Sequence, residues 1–445
     1  MRLWCEQAWL GGDAPDRGVL VDVDGDRFGS VQANVARPPG GAHALAGLVL
    51  PGFADAHSHA FHRALRGRTH GGRGTFWTWR DAMYALARRL DPDRLHRLAR
   101  AAFAEAVLAG FTTVGDFHYL HHGPDGRPYD DVNAMGAALA AAAGEAGVRL
   151  TLIDACYLRG GFDRPVEEHQ CRFSDGDADR WADRADEAIA LERPGRVRIG
   201  AAIHSVRAVP PEALGVVAGW AAAHDRPLHA HVSEQRAEND ACVAATGCTP
   251  TALLERAGAR GPTFTAVHAT HPSAADVALL GASGASVCIC ATTERDLADG
   301  IGPARALHEA GARLCVGTDS RAVVDPFEET RAVELDERLA RAERGNLPVR
   351  SLLDALTTGG AHSLGWDTAG RIAPGHVADL VRVDVAGVRL AGVPARELLA
   401  GVVFAAAPAD VRDVMVGGRW IVRDGHHERL DVAGELRTSI AAVWP

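Results

Sequence analysis

The stretch AHSHAFHRAL, residues 56–65, follows the apolar run LAGLVLPGFAD and sets His57 and His59 two positions apart. Alternate residues of a strand point to one face, so two such imidazoles can converge on a single metal ion. The chain holds 21 histidines, and a pair at this spacing also arises by chance in such a composition. Further ligands at matching places would separate the two readings. Polar residues do recur at the ends of later apolar runs: Asp116, His118 and Tyr119 in FTTVGDFHYLHH, His204 and Arg207 in and after VRIGAAIHS, and His229, His231 and Glu234 in PLHAHVSE. His268 lies in FTAVHATH and Asp319 in RLCVGTDS. Three histidines and one aspartate around one zinc, with water completing the shell, is the economical use of such a set. Cys288 and Cys290 in ASVCICATT are soft donors on one strand face, and a buried barrel strand explains them as well.

These residues need a scaffold that gathers strand ends. With RLTLIDACY, the runs above make eight β-type segments, most of them separated by stretches that suit helices, such as PPEALGVVAGWAAAHD and GPARALHEAGA. In DPDRLHRLARAAFAEAVLAG, Asp91 can cap a helix and Pro92 suits its first turn. Leu95, Leu98, Ala102, Phe103 and Val107 form its apolar stripe, and Gly110 ends it. Eight β/α units predict an α/β fold with a TIM-type (β/α)8 barrel over residues 49–369, with chemistry at the C-terminal strand ends. A doubly wound sheet is the competitor, but it calls for a Gly-rich nucleotide turn that is not found. The two chain ends, 1–48 and 370–445, hold short β-like pieces and glycine turns and are expected to pair into one small β-sandwich.

Composition narrows the partners. A net charge of −10 over 445 residues leaves no basic footprint for nucleic acid or an anionic membrane. No apolar run reaches membrane-spanning length, and MRLWCEQAWLGGDAPDRG lacks the apolar stretch of a signal peptide, so the expected location is cytoplasmic. Eight cysteines without CxxC spacing suit buried thiols. All 47 basic residues are arginine. Without lysine there is no Schiff base, no P-loop and no carbamylated bridge between two metals.

Taken together, PGFADAHSHAFHRAL, HAHVSEQ, VHATH, VGTDS and GRIAPGHVADLVRVD resemble the metal-dependent amidohydrolase superfamily, in its deaminase branch. TFWTWRDAMYALARRL, VGDFHYLHH, IHSVRAV and CATTERDLADG resemble the N-formimino-L-glutamate deiminases of histidine breakdown. The resemblance implies one zinc per subunit held by His57, His59, His231 and Asp319, with His229 outside that set. Asp319 would accept a proton from water, and Glu234 would carry one to the nitrogen that leaves as ammonia. His268 would orient the water or stabilise the tetrahedral intermediate. Arg80, Tyr119 and Arg207 match positions that bind the substrate's carboxylates, with His204 close by. Phe76, Trp77 and Trp79 beside Arg80 equally suit core packing.

Two departures stand out. His62 replaces a frequent glutamine that can bond to substrate, and Arg321 follows Asp319 where a smaller or uncharged residue is expected. The activity implied is zinc-dependent hydrolysis of N-formimino-L-glutamate, a small dicarboxylate, to N-formyl-L-glutamate and ammonia. The alternative is a guanine or other heteroaromatic amine deaminase. A third reading, a barrel that has lost catalysis, should show missing ligands, and none is missing. The oligomeric state stays open, with a homodimer suggested by the habit of relatives.

Overall fold

Four strands lead the chain: β1 (Arg2–Ala8), β2 (Asp16–Asp24), β3 (Arg27–Gln32) and β4 (His43–Pro51). They are seen in a computed structural model that describes residues 1–71 and 74–444, so Pro445, at the end of the expected terminal module, lies outside it. The eight apolar runs then form β5 (Phe53–Ser58), β6 (Phe111–His118), β7 (Arg149–Cys156), β8 (Val197–Ser205), β9 (Leu228–Val232), β10 (Phe264–His268), β11 (Ser286–Ile289) and β12 (Arg313–Val316). Four more follow: β13 (Leu380–Val383), β14 (Val411–Val416), β15 (Arg419–Arg423) and β16 (His426–His427).

Strands β5 to β12 pair in parallel, each with its neighbour in sequence. The ring closes where Ser58 bridges the residue just past β12, Asp319. There the Asp319 N–H donates to the His57 carbonyl at 2.9 Å and the His59 N–H to the Asp319 carbonyl at 3.1 Å. Nearly every residue of these strands is buried, as parallel strands covered on both faces require. The result is the TIM-type barrel, with helices between its strands.

Two helices matter for the site. The first, α1 (Phe76–Ala87), starts behind a Thr75 capping box. The second, α2 (Pro92–Leu108), is capped by Asp91, whose carboxylate accepts from the Arg94 N–H at 2.8 Å. The predicted stripe of α2 is buried, and Gly110 after it takes φ of 108°. That left-handed backbone lets the chain turn directly into β6.

The two chain ends do pair with each other. They make one continuous mixed sheet in the order β16-β15-β14-β13-β4-β1-β2-β3. The sheet curls until the β2–β3 hairpin meets the segment before β13, with Phe28 N–H donating to His376 O and Ala378 N–H to Asp26 O. Leu3, Val21, Phe28, Val49, Leu380 and Met415 share the core enclosed by that curl. Arg149, at the start of β7, links the barrel to this sheet. Its guanidinium donates to Asp379 at 2.5 Å, and Asp379 also accepts from the Gly417 N–H at 2.7 Å.

Cys288, Cys290 and Cys315 pack with Ala56 and Val267 inside the barrel. Burial pushes all three thiols well above their ordinary pKa, which suits packed thiols rather than thiolate ligands. Among the described residues, no helix is long and apolar enough to cross a membrane.

Candidate active site

His57, His59 and His231 surround the Phe117 ring with centroid separations of 5.1, 5.6 and 4.4 Å. Their Nε2 atoms converge. His57 Nε2 lies 3.2 Å from His231 Nε2, and Asp319 Oδ1 lies 3.4 Å from His57 Nε2 and 3.3 Å from His59 Nε2. Tetrahedral ligands about 2.1 Å from an ion stand about 3.4 Å apart, so these spacings fit one divalent cation. The outward nitrogens support the fit. His59 Nδ1 donates to Phe117 O and His231 Nδ1 to His204 O, both at 2.8 Å, which leaves each Nε2 free to face inward as a ligand. Burial lowers the His57 pKa to about 3 and holds His231 well below its usual value, leaving both neutral, as ligation requires. Burial would raise Asp319, but the neighbouring His57, His59 and His268 rings outweigh it and hold its pKa well below the usual carboxylate value.

Asp319 is seated by its neighbours. Asp55 on β5 accepts from the Thr318 N–H at 2.9 Å and from its hydroxyl at 2.7 Å. Gly317 permits the close approach of β12 to β5, because a Cβ there would stand 2.6 Å from the His57 carbonyl oxygen. Gly317→Ala must force the strands apart just where Asp319 meets the histidines. A loss of about 10–100-fold in metal affinity is expected, of the order seen when outer support of a ligand is removed. Competition with a metallochromic chelator measures it.

Beside this set lie Glu234 and His268. His268 Nε2 is 3.8 Å from both Glu234 Oε1 and Asp319 Oδ2, and its Nδ1 is 3.3 Å from Glu294 Oε1. Burial disfavours its charge, yet Glu234, Glu294 and Asp319 together raise its pKa to about 10. Burial also raises the Glu234 pKa, against the pull of His268 and Arg207. Ser233, His268 and Asp319 all take left-handed backbone, with φ of 52°, 69° and 40°. Such strain gathers at sites whose geometry the surrounding fold over-determines.

One pocket runs from this cluster to the loops, and Arg80, Tyr119, His204, Arg207 and His62 all line it. Arg80, on α1, lies over the Trp77 and Tyr84 rings at 4.5 and 5.4 Å, and its buried Nε has no hydrogen-bond partner among the described residues. Arg207 stands 3.5 Å from both Glu234 and Glu238. His62 Nε2 meets the Tyr119 hydroxyl at 2.9 Å. Phe76 and Trp79 line the pocket, while Trp77 is 44% exposed.

Three expectations change. Asp116 is held by structure, accepting from the Ala60 N–H at 2.8 Å. His118 shares β6 with Phe117 but points to the opposite face, because side chains alternate along a strand. It joins His121 and Asp154 in a separate buried group, where Arg184 donates twice to Asp154 and Trp181 donates once. Arg321 does not reach the pocket. It is fully buried behind it, donating to Ala102 O at 2.9 Å and to the Ser58 hydroxyl at 3.0 Å. His229 donates to Ser363 O at 2.8 Å, apart from the converging set. Sequence reasoning did not single out Glu294, Glu238, Tyr84, Tyr157 or Arg159. Glu294 and Tyr84 had a signal, inside CATTERDLADG and TFWTWRDAMYALARRL, and Tyr157 ends the run RLTLIDACY.

Residues 48–421 match the amidohydrolase family. The chain belongs to that family. This amidohydrolase is 39% identical over 416 residues to formimidoylglutamate deiminase of Pseudomonas aeruginosa, covering 91% of this chain and 90% of that one. It is 31% identical over 408 residues to the 8-oxoguanine deaminase of the same organism, covering 89% and 87%. The crystal structure of an amidohydrolase from Brucella melitensis superposes with a TM-score of 0.91 at 31% identity over 100% of both chains. An adenosine deaminase from Xanthomonas campestris with bound zinc shares the fold, with a TM-score of 0.85 at 23% identity over 99% of this chain and 97% of that one. The amidohydrolase is thus a hydrolase acting on C–N bonds, from a metal-dependent family with deiminase and deaminase members.

Proposed function

We propose that this enzyme hydrolyses N-formimino-L-glutamate to N-formyl-L-glutamate and ammonia. The observation that carries the reading is one pocket with two unlike ends. The inner end is lined by His59, His231 and Asp319, with the fully buried His57 beside them. The outer end presents Arg80, whose guanidinium finds no acid among the described residues, beside Arg207. A ligand that brings its own carboxylates satisfies the outer end, and an amidine carbon at the inner end is in reach of the acid–base groups. The identity to formimidoylglutamate deiminase supports the same choice.

His57, His59, His231 and Asp319 would hold the metal, with zinc the expected ion and one per chain. Such an ion supplies a water acidic enough to act as nucleophile near neutrality, its pKa lowered to about 7. Asp319 would accept the proton that a water gives up as it adds to the formimino carbon. His268, charged between its carboxylates, donates from Nε2 toward the centre where negative charge develops. Glu234, buried and with its pKa raised, delivers a proton to the terminal nitrogen. As the bond from carbon to that nitrogen breaks, Glu234 takes back the hydroxyl proton, the formyl C=O remains, and ammonia leaves with the proton held by Asp319. Arg80, Arg207, Tyr119, His204 and His62 bind and orient the dicarboxylate.

Aromatic walls at Phe76, Trp79 and Phe173 give a second reading some support, a deaminase of heteroaromatic amines. Ammonia release separates the two. Metal-loaded enzyme is expected to release ammonia from N-formimino-L-glutamate and not from guanine. Asp319→Asn is expected to release none and to carry less metal by elemental analysis. Turnover of guanine alone would keep the chemistry and overturn the substrate.

A further inference from the structure

The loop after β7 carries Gln170, 1% exposed, within the short helical turn Glu168–Phe173. Its amide orientation is settled by one unambiguous donor. The Glu167 backbone N–H lies 3.0 Å from one side-chain atom of Gln170, which must therefore be the oxygen. The NH2 group then faces the other way. It donates to the Tyr84 hydroxyl and to the Tyr157 hydroxyl, both at 2.9 Å. Gly160 keeps that amide in place, since a Cβ on Gly160 would stand 2.7 Å from Gln170 Oε1.

A phenol oxygen that accepts a hydrogen bond keeps its own proton to give away. Tyr84 and Tyr157 both line the pocket and are 5% and 6% exposed. Burial raises the Tyr157 pKa, so its proton stays on. The Arg80 guanidinium stands over the Tyr84 ring at 5.4 Å. The outer end of the pocket thus carries donors on several sides.

We propose that Gln170 is a positioning residue that sets the polarity of Tyr84 and Tyr157, so that both phenols donate to a substrate carboxylate. This rests on the dicarboxylate reading above. Its consequence is specificity: the outer seat takes an ionised carboxylate, an acceptor only, in preference to an amide or ester of the same size.

Gln170→Glu is the decisive variant, because it changes one atom and reverses the polarity. Its carboxylate still accepts from the Glu167 N–H, but it also accepts from both phenols, whose lone pairs then turn into the pocket. KM for N-formimino-L-glutamate is expected to rise about 10²-fold, with the rise falling on KM more than on kcat. Tyr84→Phe and Tyr157→Phe should each raise KM about tenfold in the wild-type background and have little effect in the Gln170→Glu background. Glutarate, an inert dicarboxylate, gives a binding readout by calorimetry that needs no turnover. It should bind the wild-type enzyme and fail to bind Gln170→Glu. If Gln170→Glu does not fold, the two tyrosine variants decide. Wild-type turnover with KM unchanged in all variants would overturn the role of Gln170 and leave the function intact. A wild-type enzyme that neither turns over N-formimino-L-glutamate nor binds glutarate would overturn both.

Discussion

Glu234→Gln is expected to lower kcat for ammonia release by about 10²–10⁴-fold, the usual range for losing a positioned proton carrier. The carboxylate is buried, and its polar neighbours are Arg207 at 3.5 Å and His268 at 3.8 Å. Glutamine has the same shape and can still accept from Arg207, so the pocket should keep its form. What it cannot do is take up and release a proton. Metal content by elemental analysis should match the wild type, because Glu234 lies outside the converging set. That separates this variant from Asp319→Asn, which should lose both activity and metal. A Glu234→Gln enzyme with full kcat would move the proton transfer to another group.

The second large effect concerns stability and lies at the opposite end of the barrel. Arg149→Ala should destabilise the fold by about 3–5 kcal/mol, because it leaves Asp379 buried without its cation. Both side chains are 1% exposed, and the pair connects the start of β7 to the end sheet. Asp379 also holds the Gly417 N–H, so its displacement would loosen the β14–β15 turn. Denaturant unfolding followed by circular dichroism measures the loss. Arg149→Met combined with Asp379→Leu should lose less than Arg149→Ala, since an apolar replacement of a whole buried pair leaves no stranded charge. Enzyme that remains folded should keep its kcat, because Arg149 is remote from the C-terminal strand ends.

The barrel was legible because each of its eight strands is a short apolar run bounded by turns, and α2 carries its own cap and stop. The end sheet was legible in content but not in form. Its two halves lie more than three hundred residues apart, and only their pairing through β4 and β13 shows one curled sheet. Of the side chains that the fold gathers, His57, His59, His231, Glu234, His268 and Asp319 were all readable as candidates, since each sits at or just past a strand end. Glu294 lay inside a quoted stretch, but its role was hidden because its contact with His268 joins the end of β10 to a helix that follows β11. Gln170 was hidden for the same reason: nothing local marks a glutamine that orients two distant phenols.

By itself, the sequence determined the kinds of donor available and the ends of the strands that bear them. Two-residue periodicity places alternate residues on one face, and the absence of lysine excludes a carbamate-bridged metal pair. Only the tertiary structure decided which polar groups share the pocket. His118 and Tyr119 are adjacent in sequence, yet one turns into a closed network and the other into the site. Arg321 follows Asp319 by two positions but lies behind the pocket, its charge facing the buried Asp55 at 3.6 Å and its N–H groups held by backbone and hydroxyl oxygens. The meeting of β5 and β12 is the deciding event. Barrel closure brings Asp319 to His57 and His59, a contact that no local pattern encodes because it exists only once the whole ring has formed.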